Sequence, residues 1–414
     1  MNSTDHIPMK RLQTADKALG FLACTLLQPI RLLRLFLRRP KGKDLLVIKF
    51  WGLGSLQLLT PAISTLRRRY PDSKVTLLTL SENEDFARRL GAFDEVLTLD
   101  VRTKSWRLVF LRILKLVREL RKREFRAVYD FEFFTRFSAV ISWLSGSRES
   151  FGFAAPKIWR GHLHTGTVPF NRYWHVARNF RCLAGGENGW KVSWEDLSVH
   201  AITSEDEAEA SAVLEEAGID PTRPLYVLNP NAGSLSLERR WPRAHFASVA
   251  ERMIAESGAS VVLTGAPSEV AWTSEVAALI GRQPDGSFAN LAGRLSLGGL
   301  QALLRRAAVF ITNDTGPMHL GAALGTPTIG LFGPETPVMY APLGPFARAL
   351  YAPPPCSPCI NVHENKVSNC YRGKPECLIN LTPDYVLEEA HALMARAALN
   401  LTEPAVLPTR ASLS

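Results

Sequence analysis

The stretch that decides the fold is VFITNDTGPMHLGAALGTPTIGLF, residues 309–332. Its first residues, 309–312, form an apolar run typical of a buried strand, and 326–332 predict a second strand. Between them, Pro317 suits the first turn of a helix that begins there. A strand, a helix and a strand over so short a length predict two parallel strands joined by a helical crossover.

The same alternation extends in both directions from this stretch. Further strands are predicted at 44–50, 74–80, 95–99, 127–131, 225–228 and 260–264, and helices at about 61–70, 104–124, 243–257, 268–281 and 296–307. Because alternating units of this kind build parallel sheets covered on both faces, the fold class is α/β. We expect two doubly wound, Rossmann-like domains facing across a cleft, over 44–200 and 201–400, after a basic segment over 1–43.

Composition and charge narrow the class of protein. Of the 414 residues, 46% are apolar and 21% are charged, a globular balance that excludes disordered and fibrous proteins. No window approaches the roughly 20 apolar residues of a membrane-spanning helix. The net charge of +10 is concentrated in 1–43 and 104–126, each with nine Lys or Arg against two acidic residues. This concentration indicates an anionic surface met at defined places, with an ordinary exposed helix as the alternative for 104–126. We expect no nucleic-acid partner.

The N-terminal segment has the pattern of a membrane-surface helix. An apolar stretch over 18–28 follows basic residues, but no small-x-small cleavage site follows it, which argues against a signal peptide. From Pro29 onward, Arg31, Arg34 and Arg38 recur at helical spacing with apolar residues on the other side. This predicts a short helix lying on the inner face of the cytoplasmic membrane, with the body of the protein in the cytoplasm. The alternative is a helix packed on the protein's own surface.

The turn between the strand and the helix of the opening stretch has the chemistry of a phosphate site. Gly316 lets the backbone approach a ligand closely, and Asp314 or Thr315 can cap the helix that Pro317 begins. A helix N-terminus presents N–H groups and a partial positive charge to an anion. His319, one turn in, is near enough to donate to the same anion. The alternative is an ordinary capped helix start, which leaves His319 unexplained.

The segment from Thr312 to Pro337, TNDTGPMHLGAALGTPTIGLFGPETP, closely resembles the ADP-heptose:lipopolysaccharide heptosyltransferase family, glycosyltransferase family 9. The resemblance includes LNPNAG at 228–233, RRWP at 239–242, VVLTG at 261–265 and NLAGRLSLGGLQALLRRAA at 290–308. It spans roughly 44–395, and its specific part is the C-terminal half. It implies the two-domain GT-B fold, with the donor in the C-terminal domain, the acceptor in the N-terminal domain and no metal required for transfer.

The resemblance assigns donor-binding roles to the turn at the start of the helix. Asp314 would hold hydroxyls of the donor sugar. The backbone N–H groups of Thr315 and Gly316 would cradle the diphosphate, with Pro317 in the same turn and His319 nearby.

Other family positions complete the expected donor site. Asn231, Thr264 and Gly265 would line it at two strand ends. Arg239 stands where the family usually has a lysine before Arg-Trp-Pro, and a fixed cation there would neutralise charge on the leaving nucleoside diphosphate. Arginine keeps the charge and changes the geometry. Trp241 either contacts the ligand or packs within its loop.

The first strand–helix turn departs from the family. The family usually has Gly-Asp there, with the aspartate as general base, and this chain has Gly54-Ser55, which we assign to the acceptor. Because a serine hydroxyl is far too weak a base, another carboxylate serves, the acceptor proton leaves late, or the protein is not a transferase. Glu132, in YDFEFFTRFS, is the candidate substitute, and a solvated or Arg136-paired glutamate is the alternative. The candidate catalytic residues are Arg239, Asp314, Ser55 and Glu132.

A second unusual feature is a cysteine-rich loop over 353–378, which contains Cys356, Cys359, Cys370 and Cys377. Four thiolates at this spacing could form a structural tetrahedral zinc site or hold an iron–sulfur cluster, with His363 as a substitute ligand. Reduced thiols packed in the loop are one alternative. Disulfides are the other, and a cytoplasmic setting disfavours them.

Two functions from different classes are compatible with these residues. The leading hypothesis is an inverting, metal-independent glycosyltransferase that passes a sugar, heptose in the family, from a nucleotide-diphosphate donor such as ADP-heptose to an anionic lipopolysaccharide-core or lipid-linked glycan. The alternative is a catalytically weak nucleotide-sugar-binding protein at the membrane, which Ser55 in place of the aspartate favours.

Overall fold

Two parallel six-stranded sheets organise the chain. The structure is a computed structural model that describes residues 9–30, 42–155, 158–185, 192–199, 201–233, 236–360 and 369–401. These residues divide into two units. Unit 1 holds the described residues up to Arg172 and those within 176–192, and unit 2 holds Tyr173–His175 and the described residues from Ser193 onward.

Unit 1 contains one sheet, whose strands follow the order β3-β2-β1-β4-β5-β6. Its strands are β1 (Leu45–Ile48), β2 (Val75–Leu80), β3 (Glu95–Leu99), β4 (Ala127–Asp130), β5 (Glu149–Ala154) and β6 (Gly166–Pro169). Its helices are α1 (Met9–Ala15), α2 (Phe21–Ile30), α3 (Leu53–Arg69), α4 (Glu84–Arg89), α5 (Trp106–Lys122), α6 (Phe137–Leu144) and α7 (Val176–Leu183). The central strands β1 and β4 are fully buried because helices cover both faces of the sheet.

Unit 2 contains the second sheet, in the order β12-β11-β10-β7-β8-β9. Its strands are β7 (Leu225–Asn229), β8 (Ser260–Leu263), β9 (Phe288–Asn290), β10 (Val309–Asn313), β11 (Thr328–Phe332) and β12 (Ala347–Tyr351). Its helices are α8 (Ser204–Glu216), α9 (Arg243–Ser257), α10 (Val270–Ala277), α11 (Leu297–Arg306), α12 (Gly316–Ala323), α13 (Pro337–Tyr340), α14 (Glu376–Ile379) and α15 (Pro383–Ala398).

The two sheets have the same topology when each is read from its first strand. In both, the fourth strand pairs with the first, so the direction of winding reverses between β1 and β4 and between β7 and β10. Ligands of doubly wound sheets bind beyond the carboxyl ends of the strands at such a switch point. The prediction of two doubly wound parallel sheets is confirmed, and it places the candidate sites at these two points.

The helix predicted over 61–70 begins earlier than expected, at Leu53, so that Pro61 lies inside α3. Proline has no N–H to donate to the carbonyl oxygen four residues before it, which here is that of Gln57. The Thr60 hydroxyl donates to that oxygen instead, at 2.8 Å. The helix therefore continues through the proline, and Ser55 lies in its first turn.

The N-terminal helices pack by one face against the rest of unit 1. The Asp16 carboxylate accepts hydrogen bonds from the backbone N–H groups of Arg136 and Phe137, at 2.9 and 2.8 Å, at the start of α6. Cys24 is fully buried and packs with Ala139 and Leu163. The amphipathic helix predicted from Pro29 falls mostly on 31–41, outside the described residues. None of the helices in the described ranges is long and apolar enough to cross a membrane.

Candidate active site

Two loops meet at the switch point of unit 2, the loop between β7 and α9 and the loop after β10, and Asn313 holds them together. Its side-chain N–H donates to the main-chain oxygen of Asn231 at 2.9 Å, and its side-chain oxygen accepts from the backbone N–H of Trp241 at 2.9 Å. Asn313 is fully buried at the end of β10, so these bonds are shielded from water. They fix both ends of the loop between β7 and α9 next to the start of α12.

The N-terminus of α12 faces this point without a side-chain cap. Thr315 is the N-cap residue, but its side chain makes no capping hydrogen bond, and its hydroxyl lies 3.2 Å from that of Thr312. The first-turn N–H groups of a helix need an acceptor from outside the helix. This arrangement suits an anion at Thr315 and Gly316.

Arg239 brings a fixed cation to the same place. It ends a single turn of 3-10 helix, and its Nη1 donates to the main-chain oxygen of Asp314 at 2.8 Å and lies 3.4 Å from the carboxylate. Both side chains are largely buried. Burial raises the pKa of Asp314, and the Arg239 charge opposes that rise. The sequence-predicted residues Arg239, Asp314, Thr315 and Gly316 are thus adjacent.

His319 lies in the first turns of α12 and is buried. Its Nδ1 has no hydrogen-bond partner among the residues that the structure describes. Burial, and next the nearby His175, lower the pKa of His319 to about 3, so its imidazole is neutral at pH 7. Burial also lowers the pKa of His175 to about 4, although its ring hydrogen-bonds with the Ala341 carbonyl oxygen at 3.0 Å. No sequence pattern indicated His175, which only the tertiary structure brings near His319 of α12.

Glu335 is a second buried residue near Asp314 that was not among the candidates predicted from the sequence. It follows β11, the neighbour of β10, and its Oε1 accepts from the Thr336 N–H at 2.9 Å. Burial, and next the negative charge of Asp314, raise the pKa of Glu335 to about 8. Its carboxyl group therefore carries a proton at neutral pH and can act as a hydrogen-bond donor. Its place directly after a buried strand in GPETP was the available signal.

Asn231, Thr264 and Gly265 form the polar scaffold at the ends of β7 and β8. The Asn231 side-chain N–H group donates to the Thr264 main-chain oxygen at 2.9 Å and to the Thr273 hydroxyl at 3.1 Å. A Cβ on Gly265 would lie 2.6 Å from the same amide nitrogen, so only glycine fits there. The buried Asn231 amide is therefore engaged within the protein.

Trp241 packs within its loop. It is fully buried, and its indole N–H donates to the Leu381 main-chain oxygen at 2.8 Å. The neighbouring Arg240 lies over the ring of Trp272, 4.2 Å from its centroid. Of these two successive arginines, only Arg239 therefore pairs with Asp314.

In unit 1, Gly54 and Ser55 lie in the first turn of α3, directly after β1. Gly54 is buried and Ser55 is half-buried. The helix is preceded by Gly52, whose φ of 86° favours glycine. A Cβ on Gly52 would lie 3.2 Å from the Ser55 hydroxyl oxygen, so this glycine also leaves room for the serine side chain.

Glu132, the candidate substitute base, has a structural role instead. Its Oε1 accepts from Lys49 Nζ at 2.9 Å and from the backbone N–H groups of Phe50 and Trp51 at 2.7 and 2.9 Å. The carboxylate is completely buried, and its partner is Lys49 rather than Arg136. A base must reach the proton that it removes, and Glu132 in this position does not reach solvent. It fixes the backbone between β1 and α3.

The four clustered cysteines line one small cavity, together with Tyr371. Within the described residues none of the four forms a disulfide. Burial, and next the neighbouring cysteines, raise the pKa of the Cys377 thiol to about 12. Within the described ranges, no group of three or more His, Cys, Asp or Glu side chains is arranged to hold a metal ion. The expected zinc or iron–sulfur ligand set is therefore not formed by Cys356, Cys359, Cys370 and Cys377, and His363 lies outside those ranges.

The cysteine-rich loop is hydrogen-bonded to the loop that follows β11. The N–H groups of Cys359 and Ile360 both donate to the Pro334 main-chain oxygen, at 2.9 and 3.0 Å. This contact fixes the segment that carries Glu335.

The two doubly wound units have the fold of glycosyltransferases of the GT-B type. Two solved structures share this fold. E. coli ADP-heptose lps heptosyltransferase II matches with a TM-score of 0.68 and 22% identity, over 86% of this chain and 99% of that chain. E. coli heptosyltransferase WaaC with ADP-2-deoxy-2-fluoro heptose matches with a TM-score of 0.58 and 20% identity, over 84% of this chain and 99% of that chain.

The sequence comparisons identify the family. The chain belongs to glycosyltransferase family 9 (heptosyltransferase), whose sequence model matches residues 113–371. It is 25% identical to lipopolysaccharide heptosyltransferase 2 of Escherichia coli K12 over 358 residues, which cover 84% of this chain and 98% of the relative. The resemblance noted from 312–337 is thereby confirmed.

Proposed function

We propose that this glycosyltransferase passes a heptose from ADP-heptose to a lipopolysaccharide-core or lipid-linked glycan acceptor. The single observation that carries the proposal is the buried Arg239–Asp314 pair at the uncapped N-terminus of α12. The family supports heptosyl transfer, and the similarity to lipopolysaccharide heptosyltransferase 2 of Escherichia coli K12 supports lipopolysaccharide as the acceptor. A relative bound to an ADP-heptose analogue supports the donor class.

Unit 2 would hold the donor. The N–H groups of Thr315 and Gly316 would bind the diphosphate, and Asp314 would hold hydroxyls of the sugar. His319, neutral and with an unpartnered Nδ1, would add a hydrogen bond from the first turns of α12. Asn231, Thr264 and Gly265 would shape the pocket for the nucleoside, with Pro317 keeping the turn rigid.

Unit 1 would receive the acceptor at Gly54 and Ser55. In the reaction, the acceptor hydroxyl oxygen forms a bond to the anomeric carbon from the face opposite the diphosphate, which inverts the configuration. The bond from that carbon to the phosphate oxygen breaks, and ADP departs with the electron pair. The guanidinium of Arg239 neutralises the charge that develops on ADP, so no metal is required. The acceptor proton passes to water, and Ser55 orients the hydroxyl.

The enzyme would work in the cytoplasm, peripherally on the inner face of the cytoplasmic membrane, because a lipid-linked acceptor is confined there. The two basic segments, 1–43 and 104–126, support this location by their charge.

A calorimetric titration with ADP, UDP and GDP, followed by a transfer assay with ADP-heptose, tests the proposal. We expect selective binding of ADP and formation of a heptosylated acceptor. If none of the three diphosphates binds, the donor site is wrongly assigned. Selective binding without any transfer would instead favour the catalytically weak nucleotide-sugar-binding protein.

A further inference from the structure

The outer face of α2 is apolar although its inner face is already packed. Leu22, Leu26 and Ile30 are exposed, and so is Leu19 in the π-helical turn Asp16–Gly20 that leads into α2, with 62% of Leu19 and 61% of Leu26 accessible to solvent. We call these four residues the α2 face. On the other side of the same helix, Cys24 is fully buried against unit 1. The apolar residues of the α2 face are therefore not needed to dock this helix.

The first half of α5 has a comparable surface. Its inner side is buried through Val109, Leu116 and Leu120. Its outer side exposes Trp106, Phe110 and Leu111, with 59% of Phe110 and 51% of Leu111 accessible. We call these three residues the α5 face.

Exposed basic side chains lie within the α5 face and farther along the same helix. They are Arg107, Lys115, Arg118 and Lys122. The sequence after the α2 face continues as RLLRLFLRRPKGK, residues 31–43, which is equally basic and apolar. Apolar side chains flanked by Lys and Arg are the pattern of helices that bind an anionic membrane surface.

Helix α6 connects the two faces. Arg121, near the end of α5, donates through Nε to the Leu144 main-chain oxygen at 2.9 Å, so the two helices end side by side. At the other end of α6, Asp16 binds the first backbone N–H groups of that helix. The beginnings of α5 and α6 both follow strands of the sheet, at its carboxyl edge. The start of α2 and the α5 face therefore lie near the same edge of unit 1, the edge at which Ser55 also lies.

We infer that the α2 face and the α5 face together dock unit 1 on an anionic lipid bilayer, with the carboxyl edge of its sheet toward the lipid. The inference deepens the proposed function and rests on it, because a lipid-linked acceptor would then emerge beside Ser55. The charge of the surface selects lipid over a second copy of the chain. Two copies meeting through this surface would bring the same cations together, whereas anionic headgroups neutralise them.

The test is co-sedimentation of the full chain with phosphatidylcholine vesicles, with and without phosphatidylglycerol. We expect binding to the anionic vesicles and weaker binding at high salt, since exposed charges are screened. The double variants Leu22→Glu with Leu26→Glu and Phe110→Glu with Leu111→Glu should each lower the partition coefficient at least tenfold. Leu279→Glu is the matched control, because Leu279 in unit 2 is also 51% accessible.

Titration with ADP shows whether each variant is folded and separates this inference from the proposed function. Variants that lose vesicle binding and keep the ADP affinity of the wild type support the docking surface. Wild-type binding by both double variants, or no binding of the wild type to anionic vesicles, would overturn it. A concentration-dependent dimer that both double variants abolish would assign the surface to a second copy instead. A wild type that binds vesicles but not ADP contradicts only the donor assignment.

Discussion

Arg239 and Asp314 form a buried pair in which the guanidinium bonds to the main-chain oxygen of Asp314, at 2.8 Å, more closely than to its carboxylate, at 3.4 Å. The main-chain bond holds the cation at the start of α12. The longer side-chain contact leaves the carboxylate oxygens available to a ligand. One residue pair thus presents a cation and a carboxylate at the same helix terminus.

Asp314→Asn should lower kcat/KM for the donor at least tenfold, or about 1.4 kcal/mol. The amide keeps the shape of the carboxylate but loses the charge that accepts hydrogen bonds from sugar hydroxyls. Steady-state kinetics with varied donor measure the change. Glu216→Gln, in an exposed pair with Arg294 of the same unit, is the control and should leave kcat/KM unchanged. An Asp314→Asn enzyme as active as wild type would contradict the assignment of the donor site.

Arg239→Lys should reduce kcat at least tenfold while ADP still binds. Lysine keeps the positive charge, but its single ammonium group lacks the planar fork with which Arg239 can bond both Asp314 and a phosphate. Single-turnover kinetics and an ADP titration separate the two effects. Arg240→Lys is the matched control, since Arg240 lies over Trp272 rather than against Asp314. Equal losses in both variants would mean that the loop, and not the Arg239 cation, supports catalysis.

Ser55→Ala should raise KM for the acceptor several-fold and leave donor affinity unchanged. The serine lies in unit 1, whereas the residues that we propose to bind the donor lie in unit 2. Bisubstrate kinetics, with each substrate varied in turn, distinguish the two constants. Ser64→Ala, on the same helix α3, is the control. A loss of donor affinity in Ser55→Ala would show that the serine belongs to the donor site.

Glu335→Gln should stabilise the protein at pH 9 and change little near pH 4.5. The folded state raises the pKa of Glu335 from 4.5 to about 8, so it holds the proton more strongly than the unfolded chain does. The wild type therefore loses stability as the pH rises from about 4.5 to about 8, and the glutamine variant, which has no proton to lose, does not. Thermal unfolding at several pH values measures the difference in Tm.

The control for this experiment is Glu388→Gln, an exposed carboxylate on α15. Its Tm should follow that of the wild type at every pH. A Tm difference for Glu335→Gln that is constant with pH would contradict the raised pKa.

Lys49→Met should cost about 3–5 kcal/mol of unfolding free energy, because it leaves the buried Glu132 carboxylate without its counter-charge. Urea denaturation measures the change. In the exposed pair of α4, Arg88→Met should cost less than about 1 kcal/mol. Equal costs for the two variants would show that water reaches Glu132, which would restore it as a candidate base.

The sequence predicted the central strands well because they are buried on both faces and therefore read as continuous apolar runs. The predictions at 74–80, 225–228 and 309–312 differ from β2, β7 and β10 by at most one residue at either end. The short outer strands were missed. β9 has three residues, all half-buried, and β12 is mostly half-buried, so neither has a distinctive apolar pattern.

The sequence by itself determined the family, the α/β class and the turn between strand and helix around 314–319, because those features depend on residues close together in the chain. Only the tertiary structure decided the partners of buried groups. Lys49 and Glu132 are 83 residues apart, and their pairing requires β1 and β4 to lie side by side. The same holds for Glu335 beside Asp314, since burial and a neighbouring charge, rather than residue type, set the pKa of a carboxyl group.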